Sequence, residues 1–178
     1  MTVRLKWILN SQIHVISKLV VLIPTIIAAS ILGALGITFF PSETKNSHTT
    51  EFPIGTIRIG QDIIKVEIAN SEAQRQRWLM FRGEKLPMNS AMILIYDRPD
   101  LYAMWLLNID FNLDLLWFDP MGNMVYAVKD AQTCKNTLDT VNCTYKNTIP
   151  AKYVIAATSG FITKHNIDKD SKMSIISM

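Results

Sequence analysis

Histidine and cysteine are scarce in this chain of 178 residues, which holds three of the first and two of the second. So few exclude a cysteine-rich scaffold, and beyond residue 51 only Cys134, Cys143 and His165 could serve a zinc ion, one short of a four-ligand set. A Ser-His-Asp or Cys-His centre needs an imidazole beside its nucleophile. His165 is the sole candidate in that part of the chain, and it reads better as a surface residue at a helix end, where positive charge is favoured. The two cysteines lack the Cys-x-x-Cys spacing of dithiol catalysis. Glycine and proline, seven of each, are too few for a collagen-like or low-complexity chain. No glycine-rich phosphate loop follows a strand, and neither Glu-x-x-His nor EF-hand spacing occurs, so no cofactor and no metal ion is expected.

Acidic residues are absent before Glu43, and Arg4, Lys6 and Lys18 are the only charges there. From Leu19 to Phe40 no charge interrupts a run of mostly Leu, Ile, Val, Ala and Gly. Twenty-two helical residues would span about 33 Å, enough for a bilayer core. A cleaved signal peptide is the competing reading, with Ala28-Ala29-Ser30 as its weak cleavage site, but the apolar run continues well past it. No cysteine follows directly to carry a lipid. The positive flank predicts a single-pass cell-membrane protein: residues 1–18 cytoplasmic, 19–40 the anchor, 41–51 a polar flexible linker, and 52–178 an extracytoplasmic domain. His48 falls in the linker and reads as a solvated residue. The outer part carries 14 basic and 13 acidic side chains and no basic patch, so nucleic acid is not an expected partner.

Periodicity in residues 52–178 is that of strands. Ile64, Val66 and Ile68 alternate with polar or small residues, and Gly60-Gln61 separates them from Ile57–Ile59 as in a hairpin. Ser71 followed by Gln74 is a capping box and predicts a short helix from Glu72 to about Met80. Strands are expected at 91–96, 102–107, 113–118, 124–129, 153–157 and 172–176, with a turn at Asp119–Asn123 and a second short helix, capped by Ser159, ending near Asn166. This pattern gives a mostly β, barrel-like antiparallel sheet domain with two short helices, preceded by the transmembrane helix.

Cys134 and Cys143 lie in one polar loop, and outside the cytoplasm their default state is a disulfide. Asp110, Asp114 and Asp119 fall on or beside strands. Strand parity puts Asp114 on one face with Leu116 and Phe118, and apolar neighbours on both faces imply that it is at least partly buried. Such a carboxylate needs partners, and Arg75, Arg77 and Arg82 are the candidates for a tie between sheet and helix. Asn108 reads as a turn residue, and Trp105 and Met80 as core.

Trp78-Leu79-Met80-Phe81-Arg82 with Leu86-Pro87, Trp105 to Asn108, Leu113-Asp114, Phe118-Asp119 to Gly122, and Pro150 to Val154 occur in the order and spacing of one family. Over about residues 56 to 177 the chain resembles the domain of unknown function 192 family, an uncharacterised ancient conserved region. The resemblance implies a small β-rich, barrel-like fold, often behind a signal or anchor, and implies no established activity. Trp78 stands where the family has glycine, Asn112 where it has proline and Ala91 where it has glycine. Leu107 and Ile109 replace a lysine and a threonine, and Ala156 an acid. The expected function is binding of a small ligand or an envelope protein, with Trp105, Asn108, Asp114, Arg82, Arg77 and Met80 as candidate contacts. A hydrolase-like enzyme using Asp114, Asn108 and an arginine is the alternative, and a purely structural envelope domain the third reading; the sequence leaves open whether the domain is catalytic.

Overall fold

The structure, a computed structural model, describes residues 51–178. The expected cytoplasmic segment, the membrane anchor and all but the last residue of the linker lie outside the described residues. Within them, no helix is long and apolar enough to cross a membrane.

The chain runs β1 (Ile54–Ile59), β2 (Asp62–Ala69), α1 (Glu72–Arg77), β3 (Ser90–Asp100), β4 (Ala103–Trp105), β5 (Leu113–Phe118), β6 (Met124–Ala131), β7 (Thr144–Lys146), β8 (Ala151–Thr158), α2 (Phe161–Lys164) and β9 (Met173–Ser177). The domain is therefore mostly β with two short helices. Seven strands form one sheet in the order β6-β5-β8-β3-β2-β1-β9, and β4 pairs with β7 in a second, small sheet. The expected antiparallel barrel is corrected in two respects. β2 and β3 run parallel, joined by a crossover that contains α1, and the sheet is open. Its free edges touch at one corner only, where Asn123 and Lys172 form an isolated bridge and the Met173 N–H donates to the Gly122 carbonyl at 2.8 Å. Gly122 has φ +79° there, and a β-carbon would lie 2.0 Å from the Met173 carbonyl oxygen, so only glycine fits this corner.

The hairpin of β1 and β2 forms where alternation placed it, with Ile57 opposite Ile64. β5 has every residue buried, which is why its alternation in sequence is weak: both faces meet core. One face of β5 and β8 packs Leu113, Leu115, Trp117, Val154 and Ala156 beneath Trp78, Leu79, Leu106 and Phe111. The other packs Leu116, Phe118 and Ile155 against Ile57, Ile64, Val66 and Phe161, around which the sheet curls.

The first helix is shorter than expected. Its capping box is complete, the Gln74 N–H donating to Ser71 Oγ and the Ser71 N–H to Gln74 Oε1. It stops at Arg77 because Trp78 takes φ +25°, a region that disfavours any residue with a β-carbon. That is the position at which the family pattern carries glycine. Here the side chain is instead buried in the core, and the burial offsets the backbone cost. The expected strand at 102–107 shrinks to β4 and leaves the main sheet for β7, which periodicity did not mark because three residues carry no period. The second helix is capped differently from the expectation. Gly160 is its N-cap, with no side-chain capping bond, and the Ser159 hydroxyl turns away to Asp130.

Candidate functional site

Asp114 is 1% exposed, as strand parity implied, but its partners are not arginines. One carboxylate oxygen accepts the Asp130 N–H at 2.9 Å and the other the Ile162 N–H at 2.8 Å. The first amide belongs to the end of β6 and the second to the first turn of α2, so Asp114 on β5 pins both a strand end and a helix start. Buried and committed to two amides, it is a structural tie, which leaves the hydrolase reading without its proposed acid.

The other candidates have separate partners. Arg82 forms an ion pair with Glu67 on β2. Arg77 stands over the Phe81 ring, 4.8 Å from its centroid. Asn108 takes φ +55° in a turn, and its carbonyl accepts the Phe81 N–H at 2.7 Å, so Asn108 and the Met80–Arg82 turn are brought together through backbone. Met80 packs half-buried against the core. Trp105 is 38% exposed on β4. His165 is corrected as well. Its side chain is largely buried, Nδ1 lies 2.8 Å from an Asp62 carboxylate oxygen, Nε2 lies 2.7 Å from the Met88 carbonyl, and the ring packs on Phe161. Both nitrogens are thus occupied, and His165 holds no nucleophile. Asp119 organises its own turn, accepting the Met121 and Asn123 amides and the Asn123 side chain.

The polar groups that do converge in a cleft include Asp110, Asn112 and Ser159, which the sequence marked for other reasons, and Asp130, which it did not mark. A cleft of about 410 Å³ is bordered by Lys85, Asp110, Asn112, Asp130, Thr158 and Ser159. At its centre Asp130 takes φ +52°, an uncommon conformation that Asp tolerates better than most residues. One of its carboxylate oxygens accepts the Ser159 hydroxyl at 2.7 Å and the Asn112 amide at 3.0 Å, and the other accepts the Gln132 amide at 2.9 Å. These bonds, that from Ser159 foremost, hold the Asp130 carboxyl below the usual carboxylate range. The backbone beneath is fixed by the bond to Asp114. Asn112 matters doubly: its amide reaches Asp130, and its carbonyl accepts the Ser159 N–H at 3.0 Å. A proline there, as in the family pattern, would supply no such amide.

The Ser159 hydroxyl donates to a carboxylate made less basic by its own hydrogen bonds, and the one histidine among the described residues, His165, is engaged with Asp62 and Met88 instead. Among the described residues no three His, Cys, Asp or Glu side chains converge on a point that could hold a metal ion. One signal could have found the cleft: Asn112 breaks the family's proline two residues before the buried Asp114. Asp130 had none, because its backbone conformation and its donors come from chain segments 18 and 29 residues away.

The fold is shared with two solved structures. A candidate transcription regulator from Sinorhizobium meliloti superposes with a TM-score of 0.63 at 17% identity, covering 70% of this chain and 95% of its own. A protein of unknown function from Novosphingobium aromaticivorans gives 0.60 at 19% identity, covering 68% of this chain and 84% of its own. No curated protein matches the sequence. The family itself is decided by residues 55–175, which match the model of the DUF192 family, described as an uncharacterised ACR; the chain belongs to that family.

Proposed function

We propose that this DUF192 member is a membrane-tethered extracytoplasmic binding domain and that the Asp130 cleft receives a small, polar, uncoupled ligand bearing both a hydrogen-bond donor or cation and an anionic or acceptor group. The observation that carries the reading is the Asp130 carboxylate, ionised and held by three side-chain donors on a backbone fixed from below by Asp114. Pre-set geometry of this kind lowers the ordering cost of binding. Lys85 and Asp110 line the same cleft and offer it one charge of each sign beside Asp130. The extracytoplasmic placement is supported by the disulfide between Cys134 and Cys143, because such bonds persist outside the reducing cytoplasm. The charge-free run at 19–40 behind Arg4, Lys6 and Lys18 supports the tether.

The test is a thermal-shift screen of the full chain in detergent against free amino acids, polyols and amino sugars. A ligand that binds only the folded domain raises its melting temperature. The Asp130→Asn variant keeps the fold and loses the shift. If the wild-type chain shows no shift with any of these compounds, or if Asp130→Asn responds as the wild type does, the cleft is not the binding site.

A further inference from the structure

Leu138 and Val141 are the two most exposed large apolar side chains among the described residues, 90% and 86% accessible, and both lie in the short loop closed by the disulfide. An exposed leucine alone means little. This loop differs in how its polar groups are used. The Leu138 N–H donates to Asn136 Oδ1 at 2.9 Å, the Asn142 amide donates to Asp139 Oδ1 at 2.8 Å, and the Thr144 hydroxyl donates to the Thr140 carbonyl at 2.5 Å. The loop therefore satisfies part of its own hydrogen bonding, the Asp139 carboxylate between the two apolar residues included, while turning Leu138 and Val141 outward, which suits the polar headgroup layer rather than the hydrocarbon. Its base is fixed as well. The Cys134 N–H donates to the Leu106 carbonyl, and the Leu106 N–H to the Cys143 carbonyl, so both half-cystines grip the residue next to Trp105. Trp105, opposite Thr144 in the small sheet, is part-exposed on the same rigid unit, and the exposed Lys135 and Lys146 flank it. Aliphatic tip, tryptophan and flanking lysines are the chemistry of a bilayer interface.

We infer that the Cys134–Cys143 loop is a second membrane contact, seating Leu138, Val141 and Trp105 in the headgroup region of the bilayer that holds residues 19–40. The inference rests on the tether of the proposed function. The linker of that reading has eleven residues, and a short flexible linker turns a second contact into an intramolecular one at an effective concentration in about the millimolar range. A contact made while already tethered needs little affinity of its own. It would turn a domain that hangs free into one with a fixed orientation.

The experiment uses the full chain carrying Trp7→Phe, reconstituted in phosphatidylcholine–phosphatidylglycerol vesicles with ordinary or brominated acyl chains. Trp78 and Trp117 are buried, which leaves Trp105 as the lipid-accessible emitter. Brominated lipid should quench part of the emission. The quenched part should vanish on adding Trp105→Phe, and also in Leu138→Asp with Val141→Asp, whose melting should be unchanged because both positions are exposed. If the chain floats with the vesicles yet its emission is the same in both lipids, the loop faces water or a protein partner and the inference fails while the tether stands. If the chain does not float, the tether fails, and the inference with it.

Discussion

The main sheet and the small sheet are held by different physics. Within the main sheet, β5 and β8 lie between two apolar clusters, and burial supplies the stability. The small sheet has two strands of three residues, too little to stand alone. It depends on a disulfide, on the Trp117 indole N–H bonded to the Tyr102 carbonyl at 3.0 Å, and on Asn147, whose side chain accepts the Tyr102 N–H and donates to the Asp100 and Ile149 carbonyls. One region is specified by what its residues exclude from water, the other by a few named bonds. Loss of an apolar group should therefore unfold the whole, and loss of a bond should loosen a part.

The largest effect is expected in the core. Phe118→Ala empties a fully buried site on β5 and should lower the free energy of unfolding by about 3–5 kcal/mol, read from the urea midpoint. Replacing both cysteines by serine releases a ten-residue loop and should cost about 2.5–3 kcal/mol on a chain-entropy account. Its signature is regional: amide exchange should rise in β4, β7 and the loop while β5 and β8 keep their protection. Equal loss of protection in β5 would show that the two regions unfold as one and would break the comparison. Asp114→Asn retains the shape but presents an amide N–H toward a backbone N–H, and should cost about 1–3 kcal/mol by chemical denaturation.

The smallest effect lies where the regions touch. Tyr96 of β3 stacks on Tyr102, ring centroids 3.4 Å apart, and the Arg75 guanidinium lies over the Tyr96 ring, 5.2 Å from its centroid. Burial pushes the Tyr96 phenol up to about 12, Arg75 opposing and Tyr102 reinforcing the shift. The unfolded chain ionises first, near 10, so this contribution is complete below pH 10 and is lost as pH rises toward 12. Tyr96→Phe should flatten that alkaline decline, and an unchanged decline would assign it to other groups.

What the sequence made legible follows the same division. Alternation located β1 and β2 because each has one dry and one wet face, and strand parity revealed that Asp114 is buried. What it bonds to was not legible. Its partners are the amides of Asp130 and Ile162, and a backbone amide has no residue type to betray it. The arginines offered the only visible charge, but Arg82 is taken by Glu67 and Arg75 by the carbonyls of Asn70 and Ile95. The open sheet and the β4–β7 pairing were hidden for a related reason: closure depends on long-range register, which local periodicity does not encode. The Asp130 cleft joins segments from four parts of the chain; Asp110, Asn112 and Ser159 were visible singly, but nothing local brings them to Asp130.

Asp114 also has a consequence in time. It ties residues 16 and 48 positions further along the chain, so the first bond waits for β5 and β6 to pair and the second also for the start of α2. Closing such loops delays a contact. The tie should be absent from the folding transition state, and its removal should leave the refolding rate nearly untouched while the native domain unfolds faster. On that account Asp114 governs how long a folded molecule lasts rather than how quickly one is made.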